Sequence, residues 1–184
     1  MKRMCLGALV AGALSLACHG GDAPTVYLIA GASSEDHLEF KPQASYAQYV
    51  DLPGVHRELR ITLSSFDASC EDFSALGANG TSATVSVLAP SGTPIEPGEY
   101  PWAGHAAHGG TEAQPEHPYA LPSARVGPRS VFFESGGEIE LSNVPSELGG
   151  KVRGQLSFEF PGDADHPATS LKGQFSASLC RVRL

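Results

Sequence analysis

Six residues occur twice in the C-terminal third of the chain. Val152-Arg153-Gly154-Gln155-Leu156-Ser157 and Leu171-Lys172-Gly173-Gln174-Phe175-Ser176 carry apolar, basic, Gly, Gln, apolar and Ser at successive places, 19 residues apart. Side chains alternate between the two faces of a strand, so Val152, Leu156, Phe158 and Phe160 share one face. Leu171, Phe175, Ala177 and Leu179 do the same. Residues 161–167 between them, Pro-Gly-Asp-Ala-Asp-His-Pro, are turn formers. The pattern predicts an antiparallel hairpin with both apolar faces on one core. Arg153, Lys172, Gln155 and Gln174 then lie outside. A match of six residues is also what a general β-pattern produces, so no duplicated fold is inferred from it.

The rest of the chain reads in the same way. Residues 25–30 form a β-branched and aromatic run ended by Gly31, a buried strand. Leu38 and Phe40, with 46–50, make a weaker second element. In 57–66, Leu59, Ile61 and Leu63 alternate with Arg60, Thr62 and Ser64, and 84–89 repeats this with Val85 and Val87. After a turn cluster at 90–94, residues 96–100 read as a short edge strand. Further strands are predicted over 129–134, 137–144, 151–160 and 170–184. With 21 glycines and 14 prolines to punctuate them, eight to ten short strands predict a single all-β domain over 25–184. The expected architecture is an antiparallel β-sandwich, with a barrel as the alternative.

Residues 101–128 lack periodicity and hold five prolines, four glycines and three of the seven histidines. They are expected to form one long irregular loop, the first place to look for a site. The last strand changes phase, since beyond Leu179 the apolar positions become Cys180, Val182 and Leu184. A β-bulge near Leu179 would produce this shift and turn Cys180 into the core, where it could pair with Cys70.

The N-terminus is of another kind. Lys2 and Arg3 precede an apolar run over 4–17, followed by Cys18-His19-Gly20. A basic start and about a dozen apolar residues make a signal peptide, too short for a membrane span of about 20 residues. Two cleavage readings stand. Ser15 and Ala17 are small residues that an ordinary signal peptidase accepts, which gives a soluble secreted or periplasmic protein. Alternatively Leu14-Ser15-Leu16-Ala17-Cys18 resembles a bacterial lipobox, departing from it in Ser15, where Leu is usual. That resemblance implies removal of 1–17, lipidation of Cys18, and a tether over 18–24. His19, rather than Asp, after the cysteine implies the outer membrane or cell surface. Cysteine parity favours the lipobox. Once Cys5 is removed, Cys18, Cys70 and Cys180 remain, and lipidation of Cys18 leaves an even pair. A lipobox ahead of a β-rich body is similar to many small uncharacterised bacterial lipoproteins.

Without residues 1–17 the chain has 10 basic residues against 20 acidic ones. No Lys/Arg cluster is present, so nucleic acid is excluded as a partner, and the membrane is reached through the lipid alone. No nucleophile elbow, Walker loop, dinucleotide fingerprint, Cys-x-x-Cys pair or His-Glu-x-x-His helix occurs. The expected function is therefore a non-catalytic envelope protein that binds or supports, with no cofactor. An alternative is a Zn or Cu protein using His105, His108 and His117, with Glu112 and Glu116 nearby. Gly104, Gly109, Gly110 and Pro115 oppose the helix that would align His105 with His108. Asp163 and Asp165 lack the further oxygen ligands of a calcium loop. Tyr100 and Trp102 are candidates for an aromatic binding surface, the other reading being that Trp102 anchors a loop.

Overall fold

The structure, a computed structural model, describes residues 26–30, 37–40, 42–52, 54–66, 80–103, 116–126, 129–131, 136–160 and 168–180. The described residues hold eleven strands: β1 (Val26–Ala30), β2 (His37–Phe40), β3 (Ala44–Leu52), β4 (His56–Ser64), β5 (Thr81–Pro90), β6 (Gly98–Pro101), β7 (Tyr119–Val126), β8 (Arg129–Val131), β9 (Gly137–Asn143), β10 (Lys151–Phe160) and β11 (Thr169–Cys180). They form one sheet in the order β6-β9-β10-β11-β3-β4-β5-β7-β8, with the β1–β2 hairpin added on β11.

This sheet curls until its ends nearly meet. Trp102, just past β6, makes a parallel bridge to Ala120 of β7, and the Ala103 N–H donates to the Ala120 carbonyl at 3.4 Å. Eight strands thereby close almost into a barrel, the alternative of the two expected architectures. The sheet is mixed, because β11 runs parallel to β3 over Ser178↔Tyr46, Leu179↔Ala47 and Cys180↔Gln48. An eight-stranded barrel is just wide enough for side chains to fill. Leu59, Ile61, Leu63, Val85, Val87, Ile139, Leu141, Val152, Leu156, Phe158, Leu171, Phe175 and Leu179 do so here, forming one apolar cluster.

The repeated hexapeptides pair as the alternation predicts. Gln155 faces Gln174 at the centre, and each Gly faces the large residue of the other copy: Gly154↔Phe175 and Leu156↔Gly173. Arg153 and Ser157 likewise face Ser176 and Lys172. The motif is thus complementary to itself in the antiparallel sense, ring over glycine and basic beside Ser. Arg153, Gln155, Lys172 and Gln174 are exposed, as expected.

Two expectations are corrected. The irregular loop expected over 101–128 contains β7, a strand paired with β5 along its whole length. Its inward side chains Ala120, Pro122 and Ala124 are small, and a proline at its centre hides the pattern. Pro122 is tolerated because it falls between the Trp102 bridge at 120 and β8 at 124, where no ladder partner lies on that edge among the described residues. The short edge strand expected over 96–100 is β6, at the end of the sheet beside β9, and it leads into the closing bridge at Trp102. The bulge expected near Leu179 is not there. β11 keeps a continuous register through Cys180, with Leu179 in the core and Cys180 on the outer face beside Gln48. The register shift in this part of the sheet lies between β9 and β10, at Arg153/Gly154. A phase change in the sequence has two sources, a bulge or a covered outer face, and here it is the second: Cys180 faces outward and is still buried.

Candidate functional site

Among the described residues the interior is apolar, and rows of polar side chains lie on the outer face. On the outer face Glu99, Glu140, Gln155 and Gln174 stand opposite one another on β6, β9, β10 and β11. The next row holds Glu138, Ser157 and Lys172. An open groove is lined by Glu138, Glu140, Gln155, Leu156, Ser157, Gly173 and Gln174. Glycines 154 and 173 let the strands approach closely here, and the register shift between β9 and β10 lies next to the groove, at Arg153/Gly154. Gln155 Nε2 donates to Glu140 Oε2 at 2.5 Å, and Lys172 pairs with Glu159 at the margin. Carboxylates and amides in rows accept and donate hydrogen bonds to hydroxyl, amide or cationic groups. The lining has no histidine or cysteine, and its ionisable groups are the carboxylates of Glu138 and Glu140.

The residues singled out from the sequence fall elsewhere. Cys18, Cys70, His105, His108, Glu112, Asp163 and Asp165 lie outside the described residues. His117 is exposed beside exposed Glu116, just before β7. Among the described residues no three His, Cys, Asp or Glu side chains are gathered as a metal site. Tyr100 is only 7% exposed and belongs to the core. Its hydroxyl accepts from the Glu96 N–H at 3.0 Å and donates to the Glu96 carbonyl at 2.5 Å, tying the turn before β6. Trp102 is half-buried against the core at the closing bridge. Both aromatics therefore hold the closure together. The alternation of β10 and β11 identified the outward Gln155 and Gln174, but Glu138 and Glu140 come beside them only through the β9 pairing.

At one barrel mouth Arg57 stacks over Tyr49, 5.6 Å from the ring centroid, while its Nε donates to Asp51 at 2.8 Å. Burial raises the pKa of Tyr46, Tyr49, Tyr100 and Tyr119 above the usual 10.0. Thr62, Arg57 and Glu96 partly offset this for the first three. Folding thus favours the neutral phenols. Their contribution to stability is complete below the unfolded-state value and is lost as pH rises through the raised folded values. In an alkaline titration followed by phenolate absorbance, the native protein is expected to titrate at higher pH than the same chain in denaturant; superimposable curves would contradict the burial.

Comparison with protein-family models, with curated proteins and with solved structures finds no match for this chain.

Proposed function

We propose that the protein is an exported envelope protein, anchored through a lipid on Cys18, that works by binding rather than by catalysis. The observation that carries the binding surface is the polar groove on the outer face. The described interior is lined by Leu, Val, Ile and Phe, so the polar groups suited to recognition lie on the outside. The Glu138/Glu140/Gln155/Gln174 groove is the surface assigned to it.

Export would place Cys180 in an oxidising compartment, where disulfides persist. We assign Cys70 as its partner, since a lipidated Cys18 has no thiol to give. Closing a loop of about 110 residues contributes about 4–5 kcal/mol in the chain-entropy model. Two acyl chains make the anchor stable, at about 0.8 kcal/mol per buried CH₂.

Intact mass of the protein extracted from the envelope tests this reading. The expected mass lacks residues 1–17, gains a diacylglyceryl and an acyl group, and is two hydrogens short. Replacing Cys18 by alanine is expected to move the protein into the soluble fraction. A cytosolic protein with Met1 in place and reduced thiols would end the proposal.

A further inference from the structure

Arg60 is an exposed cation set in a shielded polar wall. On β3, β4 and β5 the residues Ala47, Leu59, Ile61, Val85 and Val87 belong to the core, so Gln48, Glu58, Arg60, Thr62 and Ser86 face outward. The Arg60 side chain is 42% exposed, while that of Glu58, two residues along the same strand, is only 7% exposed. Nε and Nη2 of Arg60 donate to the two oxygens of Glu58 at 2.8 and 3.0 Å. The Ser86 hydroxyl donates to Glu58 Oε1 at 2.5 Å. Both carboxylate oxygens are thereby engaged, and the guanidinium is held by one edge.

A guanidinium carries its N–H donors in a rigid planar fork. Glu58 takes the edge formed by Nε and Nη2, which leaves the edge formed by Nη1 and Nη2 without a partner among the described residues. Such an edge binds a carboxylate or a phosphate through two parallel hydrogen bonds. Directly opposite Arg60, on β3, stands Gln48. It is 7% exposed, yet its amide makes no hydrogen bond among the described residues. A side-chain amide so shielded ordinarily has a protein partner. Both of its amide atoms keep contact with solvent, so a ligand can reach them. Opposed residues on antiparallel strands hold their Cβ atoms about 5 Å apart, which brings the amide and the guanidinium edge within reach of one bound group. Of the outward residues of β3, β4 and β5, Glu58 alone is a carboxylate, and Arg60 and Ser86 already occupy it. In a chain with 20 acidic residues against 12 basic ones, this wall thus offers donors.

We propose that Arg60 and Gln48 form an oxyanion-binding site on the outer wall, where the free guanidinium edge and the Gln48 amide donate to a carboxylate or phosphate group. Glu58 is the positioning residue. It fixes the plane of the guanidinium, and the Ser86 hydroxyl helps to keep its own charge satisfied. The site is separate from the β9–β11 groove, where Glu138 and Glu140 repel such a ligand.

The test is a titration of the isotopically labelled full chain with acetate and with inorganic phosphate at constant ionic strength, followed by amide NMR shifts. Saturable shifts are expected at Gln48, Arg60 and Ser86, with the β9–β11 groove unmoved. The anion that binds more tightly tells whether the ligand presents a carboxylate or a phosphate. Gln48→Leu and Arg60→Lys should each weaken binding by about tenfold or more, since each loses a hydrogen bond to a charged group. Circular dichroism should stay unchanged, because Leu suits a shielded position and Lys can still pair with Glu58. If Arg60→Lys does not fold, Gln48→Leu decides alone. Shifts that grow linearly with both anions, or that saturate equally in Gln48→Leu, overturn the site.

Discussion

Replacing Phe158 by alanine is expected to lower the unfolding free energy by about 3–5 kcal/mol, the usual range for a buried aromatic. Phe158 is the largest of the fully buried side chains. It lies on β10 between Leu171 of β11 and Gly137 of β9. A Cβ built on Gly137 would meet its Cδ1 at 3.0 Å, so the ring occupies the space that the glycine leaves. Nothing else fills that space when the ring is removed, and the backbone there is held by ladders on both sides. A single small domain has about 5–15 kcal/mol in hand, so the variant would be marginal or unfolded at room temperature. Urea denaturation followed by tryptophan fluorescence checks it. A loss below about 1 kcal/mol with an unchanged m-value would mean that the core does not close around this ring.

Gly154→Ala should be nearly as damaging, through the opposite fault. A Cβ at this position would fall 2.1 Å from the Glu140 carbonyl oxygen and 3.1 Å from Cε1 of Phe175. The first contact is with backbone at the register shift of β9, where the strand leans towards β10. Moving it disturbs a ladder, while moving the ring disturbs the core. Overpacking of this kind costs about 1–3 kcal/mol, and the rigid carbonyl places the expected value at the upper end. Gly92 provides the control. It sits in an exposed turn at φ +82 with nothing within 4 Å of its would-be Cβ. Asn tolerates that conformation, so Gly92→Asn should cost only a few tenths of a kcal/mol. Comparable losses for the two variants would show that backbone conformation, rather than the close approach of strands, sets the price at Gly154.

Much of this fold was legible before any coordinates. Alternation in β4, β5, β10 and β11 places Leu59, Ile61, Leu63, Val85, Val87, Val152, Leu156 and Phe175 inside. All of them are buried. The hairpin of the two hexapeptides follows from the same alternation, because each copy offers a glycine where the other offers bulk. β7 escaped because its inward residues, Ala120, Pro122 and Ala124, leave no hydrophobic signal, and their size answers to the bulk of Tyr100 and Trp102 arriving from β6. The outward facing of Cys180 escaped for a related reason. An apolar residue that is buried at an outward position looks like a change of phase in the sequence.

What the amino-acid order determined by itself is therefore local: which stretches extend, which face of each is apolar, and where turns break them. These follow from the period of two and from the backbone preferences of Gly and Pro, which need no partner. Only the tertiary structure decided that the sheet closes, because closure depends on β11 meeting β3 in parallel and on Trp102 reaching Ala120. Such long-range pairings are chosen by the volume enclosed and leave no periodic trace. The groove of Glu138, Glu140, Gln155 and Gln174 is a product of the same closure, since its members become neighbours only when separate strands come into register.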